Sequence, residues 1–131
     1  MRSPEEILRE AKTIAVVGAS PKPWPPSHDV MRYLLEQGYR AIPVRPRDCD
    51  HVLGAPCVAA LSEIDEPIDV VDVFRRTEHA PEIAREAVAA GAGALWLQTG
   101  IVSDQARAIA AAAGLDYVED ACTKVVHRLL S

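Results

Sequence analysis

The chain has 131 residues, and its 14 basic against 19 acidic side chains give a net charge of −5, which excludes the basic coat of a nonspecific nucleic-acid binder. With 49% hydrophobic and 25% charged residues it has the composition of an ordinary globular domain, long enough to bury about two-thirds of its unfolded surface, and no uncharged stretch is apolar enough to span a membrane. Glu5, Glu6 and Glu10 break up the first turns, so no secretory leader is expected, and three unevenly spaced cysteines (Cys49, Cys57, Cys122) point to a reducing, cytoplasmic setting rather than a disulfide framework.

Ser3-Pro4-Glu5-Glu6 has capping-box spacing and predicts a helix from Ser3 to Ala11. Thr13 to Gly18 is an unbroken, β-branched apolar run, the pattern of a strand buried on both faces. Four prolines between Pro21 and Pro26 delay the next helix to about Ser27, taken as its N-cap; Val30, Met31, Leu34 and Leu35 then repeat at helical spacing up to Gly38. Tyr39–Val44 reads as the second strand. Between Arg45 and Pro67 the pattern is least periodic, with a short edge strand expected near Cys57 and a helical turn near Leu61–Ile64. Ile68–Phe74 and Ala94–Leu97 are further strands, separated by a helix from Pro81 to Ala90 that ends at Gly91. Ser103 caps a helix ending at Gly114, Asp116–Glu119 is a last strand, and Ala121–Leu130 a last helix. Strands alternating with helices predict a Rossmann-like, doubly wound α/β fold: a mainly parallel sheet of five to six strands with helices on both faces, in one domain over residues 1–131.

In such sheets ligands bind beyond the carboxyl ends of the strands. The first strand ends in Gly18-Ala19-Ser20 with Lys22 beyond. Gly18 permits close backbone approach, and the helix start at Ser27 favours a phosphate. This loop is not a dinucleotide fingerprint, because G-x-G-x-x-G needs two more glycines. Arg45 and Arg47 follow the second strand, where an NAD site would place an acid, and their guanidinium groups suit phosphate; pairing with Asp48 and Asp50 is the competing reading. Arg75, directly after its strand, is expected to face the cleft in preference to Arg76. Gln98, Thr99 and Gly100 follow Leu97 and suit a neutral polar part of a ligand. Inside its strand, Asp72 needs a hydrogen-bonding partner.

Five blocks of the chain are Lys12–Ser20, Gly38–Val44, Asp69–Arg75, Trp96–Ile101 and Asp120–Cys122. In that order and spacing they resemble the small single-domain CoA-binding proteins, relatives of the CoA-binding N-terminal domain of the succinyl-CoA synthetase alpha subunit. The resemblance covers essentially the whole chain. It implies CoA or acyl-CoA lying across the strand ends, with contacts from Gly18, Ala19 and Ser20, from Arg45 or Arg47 in place of the synthetase's lysine, and from Leu97, Gln98 and Thr99. Arg45 departs from the Asn usual in the small proteins, and the Pro-rich loop carrying Trp24 is also unusual: Trp24 either stacks on adenine or covers the loop. The synthetase's phosphorylated histidine has no counterpart here.

No catalytic or metal-binding constellation stands out. Cys49-x-His51-x5-Cys57 offers only three ligands to zinc. Cys122 reads as a small buried cysteine rather than a reactive one, and His28 either contacts a phosphate or faces solvent. The expectation is a non-catalytic binder of CoA or acyl-CoA, acting as carrier, sensor or accessory module. The alternative is an NADP- or other nucleotide-dependent enzyme on the same fold. A homodimer or a subunit role in a larger assembly is left open, with neither nucleic acid nor membrane as partner.

Overall fold

In the computed structural model, which describes residues 1–46 and 49–130, capping residues and prolines set the element ends. Helix α1 (Pro4–Glu10) starts at Ser3, whose hydroxyl accepts from the Glu6 N–H while the Glu6 carboxylate accepts from the Ser3 N–H. Strand β1 (Thr13–Val17) is buried at every position. Helix α2 (Pro26–Glu36) corrects the sequence expectation: Pro25, not Ser27, is the N-cap. Pro26 takes the first helical position because its φ is already helical and it has no N–H to satisfy, so Ser27 lies within the first turn.

Strand β2 (Arg40–Val44) is followed by a small antiparallel hairpin, β3 (His51–Val52) with β4 (Ala55–Pro56). The Cys57 N–H donates to the Asp50 carbonyl at 2.9 Å, and Cys49 and Cys57 are joined as a disulfide with their Cα atoms 5.9 Å apart. This corrects the expectation of unpaired thiols. The hairpin brings together two cysteines that spacing alone did not pair, and their bond withdraws both sulfurs as metal ligands. The remaining elements are β5 (Val70–Val73), α3 (Ala80–Ala89), β6 (Ala94–Leu97), α4 (Asp104–Ala112), β7 (Asp116–Val118) and α5 (Thr123–Arg128). Ser103 caps α4 through the Ala106 N–H, as its position predicts.

The sheet is Rossmann-like: five parallel strands in the order β2-β1-β5-β6-β7. Strand alternation sorts the core into two layers. Ile14, Val16, Val70 and Trp96 pack with Ile7 and Leu8 of α1 and with Val30, Met31 and Leu34 of α2. Ala15, Val17, Val71, Val73, Leu95 and Leu97 pack with Ile83 and Ala84 of α3 and with Ala106 and Ala110 of α4. Among the described residues no helix is long and apolar enough to cross a membrane.

Chain order reverses at the β1–β5 pair, and an acid fixes its N-terminal end. Asp69 Oδ2 accepts from the N–H groups of Lys12 and Thr13, at 2.8 and 2.9 Å. Substituting Asp69→Ala strands two backbone donors at the entry to a buried strand. It is expected to cost about 1–3 kcal/mol in urea denaturation, and an unchanged midpoint would remove this role.

Candidate functional site

The carboxyl end of β1 turns on Gly18, whose φ is +89°. Its N–H extends the ladder to the Val44 carbonyl at 3.1 Å, while the Phe74 N–H donates to the Val17 carbonyl at 2.8 Å. A Cβ at position 18 would stand 3.0 Å from Arg75 Cδ and 3.2 Å from the Phe74 carbonyl group. Both the conformation and the space therefore demand glycine.

Two clefts meet there. One, of about 380 Å³, opens on the α2 and α5 side of the sheet. Pro25, Val30, Phe74 and Ile101 make its apolar wall, and Ser27, Gln98, Thr99 and Cys122 supply its polar atoms. The other, of about 260 Å³, is lined by Gly18, Arg45, Pro46 and Arg75. It lies beside a hollow bounded by Val44, Leu61 and Ile83, with His79, Glu82 and Glu86 at its α3 edge. The division follows from strand parity: Phe74 continues the face of Asp72, and Arg75 that of Val73. Half-buried Arg75 makes no ion pair among the described residues, whereas Arg76 is turned outward with its side chain 86% exposed and Glu78 at 3.8 Å. Arg45 Nη1 donates to the Ala19 carbonyl at 3.4 Å.

The structure thus brings Gly18, Ser27, Arg45, Arg75, Gln98 and Thr99 to the cleft walls, and leaves other expected residues off them. Ala19 is buried. Ser20 Oγ accepts from the Lys22 N–H at 3.1 Å, closing a local turn. The Lys22 ammonium lies 5.5 Å from the ring centre of Trp24, itself 74% exposed. The exposed Gly100 donates its N–H to Asp120 Oδ1 at 2.7 Å. His28 is buried rather than solvent-facing, lines neither cleft, and leaves Nδ1 without a hydrogen-bond partner among the described residues. Arg47 lies outside the described residues.

Several cleft residues escaped the sequence analysis. Cys122 reaches the wall because the entry to α5 is pinned to the end of β6. Trp96 Nε1–H donates to the Ala121 carbonyl at 2.8 Å, and the Asp120 N–H to the Ile101 carbonyl at 3.2 Å. Asp120 takes a left-handed φ of +54°, a conformation Asp tolerates better than most residues. Asp120-Ala-Cys122 was visible as a block, but nothing in it revealed this tether.

Beneath the apolar cleft, Asp72 finds the partners its burial demands. Gln98 Nε2 donates to its Oδ1 at 2.5 Å and to Thr123 Oγ1 at 2.9 Å, and the Thr123 hydroxyl donates to Asp72 Oδ2 at 3.1 Å. Burial disfavours the carboxylate and raises its pKa from 3.8 to about 7, against the opposing pull of the hydrogen bonds from Gln98 and Thr123.

The class this fold and site define is a small Rossmann-like binding domain, and its sequence matches the CoA binding domain family over residues 12–128. The chain belongs to that family. It is 42% identical over 123 residues to the uncharacterised protein YneT of Bacillus subtilis strain 168, covering 94% of this chain and 90% of that one. A hypothetical protein from Pyrococcus horikoshii OT3 superposes with a TM-score of 0.92 at 38% identity, over 99% of this chain and 94% of its own. A Thermus thermophilus protein does so at 0.91 and 40%, over 97% and 98%. A dinucleotide-forming acetyl-coenzyme A synthetase of Ca. Korarchaeum cryptofilum shares the fold at 21% identity, with a TM-score of 0.78 over 88% of this chain and 27% of that enzyme.

Because the folded pKa of Asp72 lies above its unfolded value, the native state binds the extra proton between about pH 4 and pH 7. Stability from this group is full at the acid end and falls as pH rises through 7. The variant Asp72→Asn, which cannot ionise, is therefore expected to gain thermal stability relative to the wild type between pH 5 and pH 8. A difference in Tm independent of pH would contradict the buried ionisation.

Proposed function

We propose that the paired clefts hold one molecule of coenzyme A or acyl-CoA, and that the protein binds it without transforming it, as a carrier, sensor or accessory module. The observation that carries this reading is the joining of a cationic and an apolar cleft at Gly18. CoA is itself bipartite, with three phosphates on one part and a long, weakly polar pantetheine arm on the other. Arg45 and Arg75 oppose the diphosphate and the 3′-phosphate, through charge-assisted hydrogen bonds that are the strong ones in a partly dry site. Ser27, in the first turn of α2, adds a hydroxyl where the helix dipole favours negative charge. Gln98 and Thr99 line the path of the pantetheine arm or the adenosine. The only nucleophilic thiol on the described walls is Cys122, and no histidine shares its cleft.

A nucleotide-dependent enzyme remains the competing reading, because Arg45 at the end of β2 would equally serve an NADP 2′-phosphate. Calorimetric titration with CoA, dephospho-CoA and NADPH separates the two. CoA is expected to bind, dephospho-CoA to bind more weakly for want of the 3′-phosphate, and Arg75→Ala to lose roughly tenfold or more in CoA affinity. No heat from CoA or dephospho-CoA at millimolar concentration would end the CoA reading. Equal affinities for those two would remove the 3′-phosphate assignment, and preference for NADPH would reverse the ranking.

A further inference from the structure

The triangle of Asp72, Gln98 and Thr123 leaves one polar atom uncommitted, and its identity is fixed by hydrogen-bond logic. Thr123 has a single hydroxyl proton, which goes to Asp72 Oδ2 at 3.1 Å. Its oxygen is then left as an acceptor for one N–H of Gln98 at 2.9 Å. The other N–H of Gln98 goes to Asp72 Oδ1 at 2.5 Å. With the Asp72 carboxyl ionised, above about pH 7, turning the amide over would set its carbonyl oxygen against a carboxylate oxygen, two acceptors with no proton between them, so the orientation is fixed in that state. Among the described residues none donates to Gln98 Oε1. Among the described residues His28 Nδ1 is the one sealed side-chain polar atom lacking a partner, so Oε1 keeps access to the outside. Gln98 is 5% exposed and lines the apolar cleft, so that access is through the cleft.

We propose that Asp72 and Thr123 are positioning residues that lock the Gln98 amide with Oε1 toward the cleft, making Gln98 a specificity determinant that selects a ligand carrying an N–H donor. The inference rests on the CoA reading above and deepens it. Pro25, Val30, Phe74 and Ile101 offer no acceptor from their side chains, and Ser27 and Thr99 bring hydroxyls that rotate, so Oε1 is the acceptor on this wall that the triangle holds in one orientation. In CoA, two parts carry such a donor: the amides of the pantetheine arm and the 6-amino group of adenine. The chemistry is shared, and fragments tell them apart.

The first measurement needs no ligand. In the free protein both Gln98 Nε2 protons should be slow to exchange with solvent in a 1H–15N spectrum at pH 8, and Thr123→Val should speed the exchange of one of them. Rapid solvent exchange of both amide protons would refute the lock. The second compares CoA, 4′-phosphopantetheine and adenosine 3′,5′-bisphosphate by titration. Gln98→Met keeps the length but lacks the acceptor, and should weaken CoA binding about three- to tenfold, the effect of one neutral hydrogen bond. The loss should appear with only one fragment, the one whose N–H meets Oε1. Wild-type CoA binding that Gln98→Met leaves unchanged would overturn this inference alone, whereas absence of wild-type binding to all three ligands would overturn the CoA reading with it.

Discussion

The site depends on the missing side chain of Gly18. Its φ of +89° lets the chain leave β1 sharply, and the absent Cβ lets Arg75 and the Phe74 carbonyl group close in to where that atom would collide. Any other residue would pay in backbone strain of about 1–3 kcal/mol, and would push apart the two walls that make the site. The ladder bond from the Gly18 N–H to Val44 extends β1 one residue further, so the junction sits at the rim of the sheet between two half-domains of opposite winding. Ligand sites recur at such switch points because adjacent loops diverge there and leave an opening.

Two environments then follow from the pleat. Residues of one parity deliver Phe74 and Gln98 to the side of α2 and α5, and the other parity delivers Arg75 to the side of α3. Apolar and cationic contacts are separated by the thickness of one strand, an arrangement suited to a ligand of mixed character. The acidic balance of the whole chain does not oppose this, since Arg45 and Arg75 line one recess while Glu82 and Glu86 edge the neighbouring hollow. Asp72, buried beneath the apolar side, is tolerable because both of its oxygens accept hydrogen bonds from Gln98 and Thr123.

Much of this was legible in the chain. Ser3, Gly38, Gly91, Ser103 and Gly114 mark element ends through local chemistry, which sequence displays directly. The short β-branched runs identify buried parallel strands, and from those the strand-end rule leads to Gly18, Arg45, Arg75 and Gln98. What escaped is non-local or conformational. Ser27 was assigned the cap that Pro25 provides, because a proline at the first helical position can replace side-chain capping. The Cys49–Cys57 disulfide depends on a two-residue hairpin too short for periodicity to reveal. Gln98 lies 26 residues from Asp72, and Thr123 lies 51 residues from it. Asp72 declared its need for a partner, but no spacing could say which residues would meet it. Lys22 and Ser20 were placed by proximity in sequence, whereas their loop turns one toward Trp24 and ties the other to its own backbone.

The most direct measurement of the central claim, that one ligand spans both clefts at Gly18, is a residue-resolved NMR titration with CoA. The expected result is one saturable set of shift changes joining Gly18, Ser27 and Thr99 on one side to Arg45 and Arg75 on the other. Changes confined to one cleft, or centred on the β3–β4 hairpin away from Gly18, would contradict it.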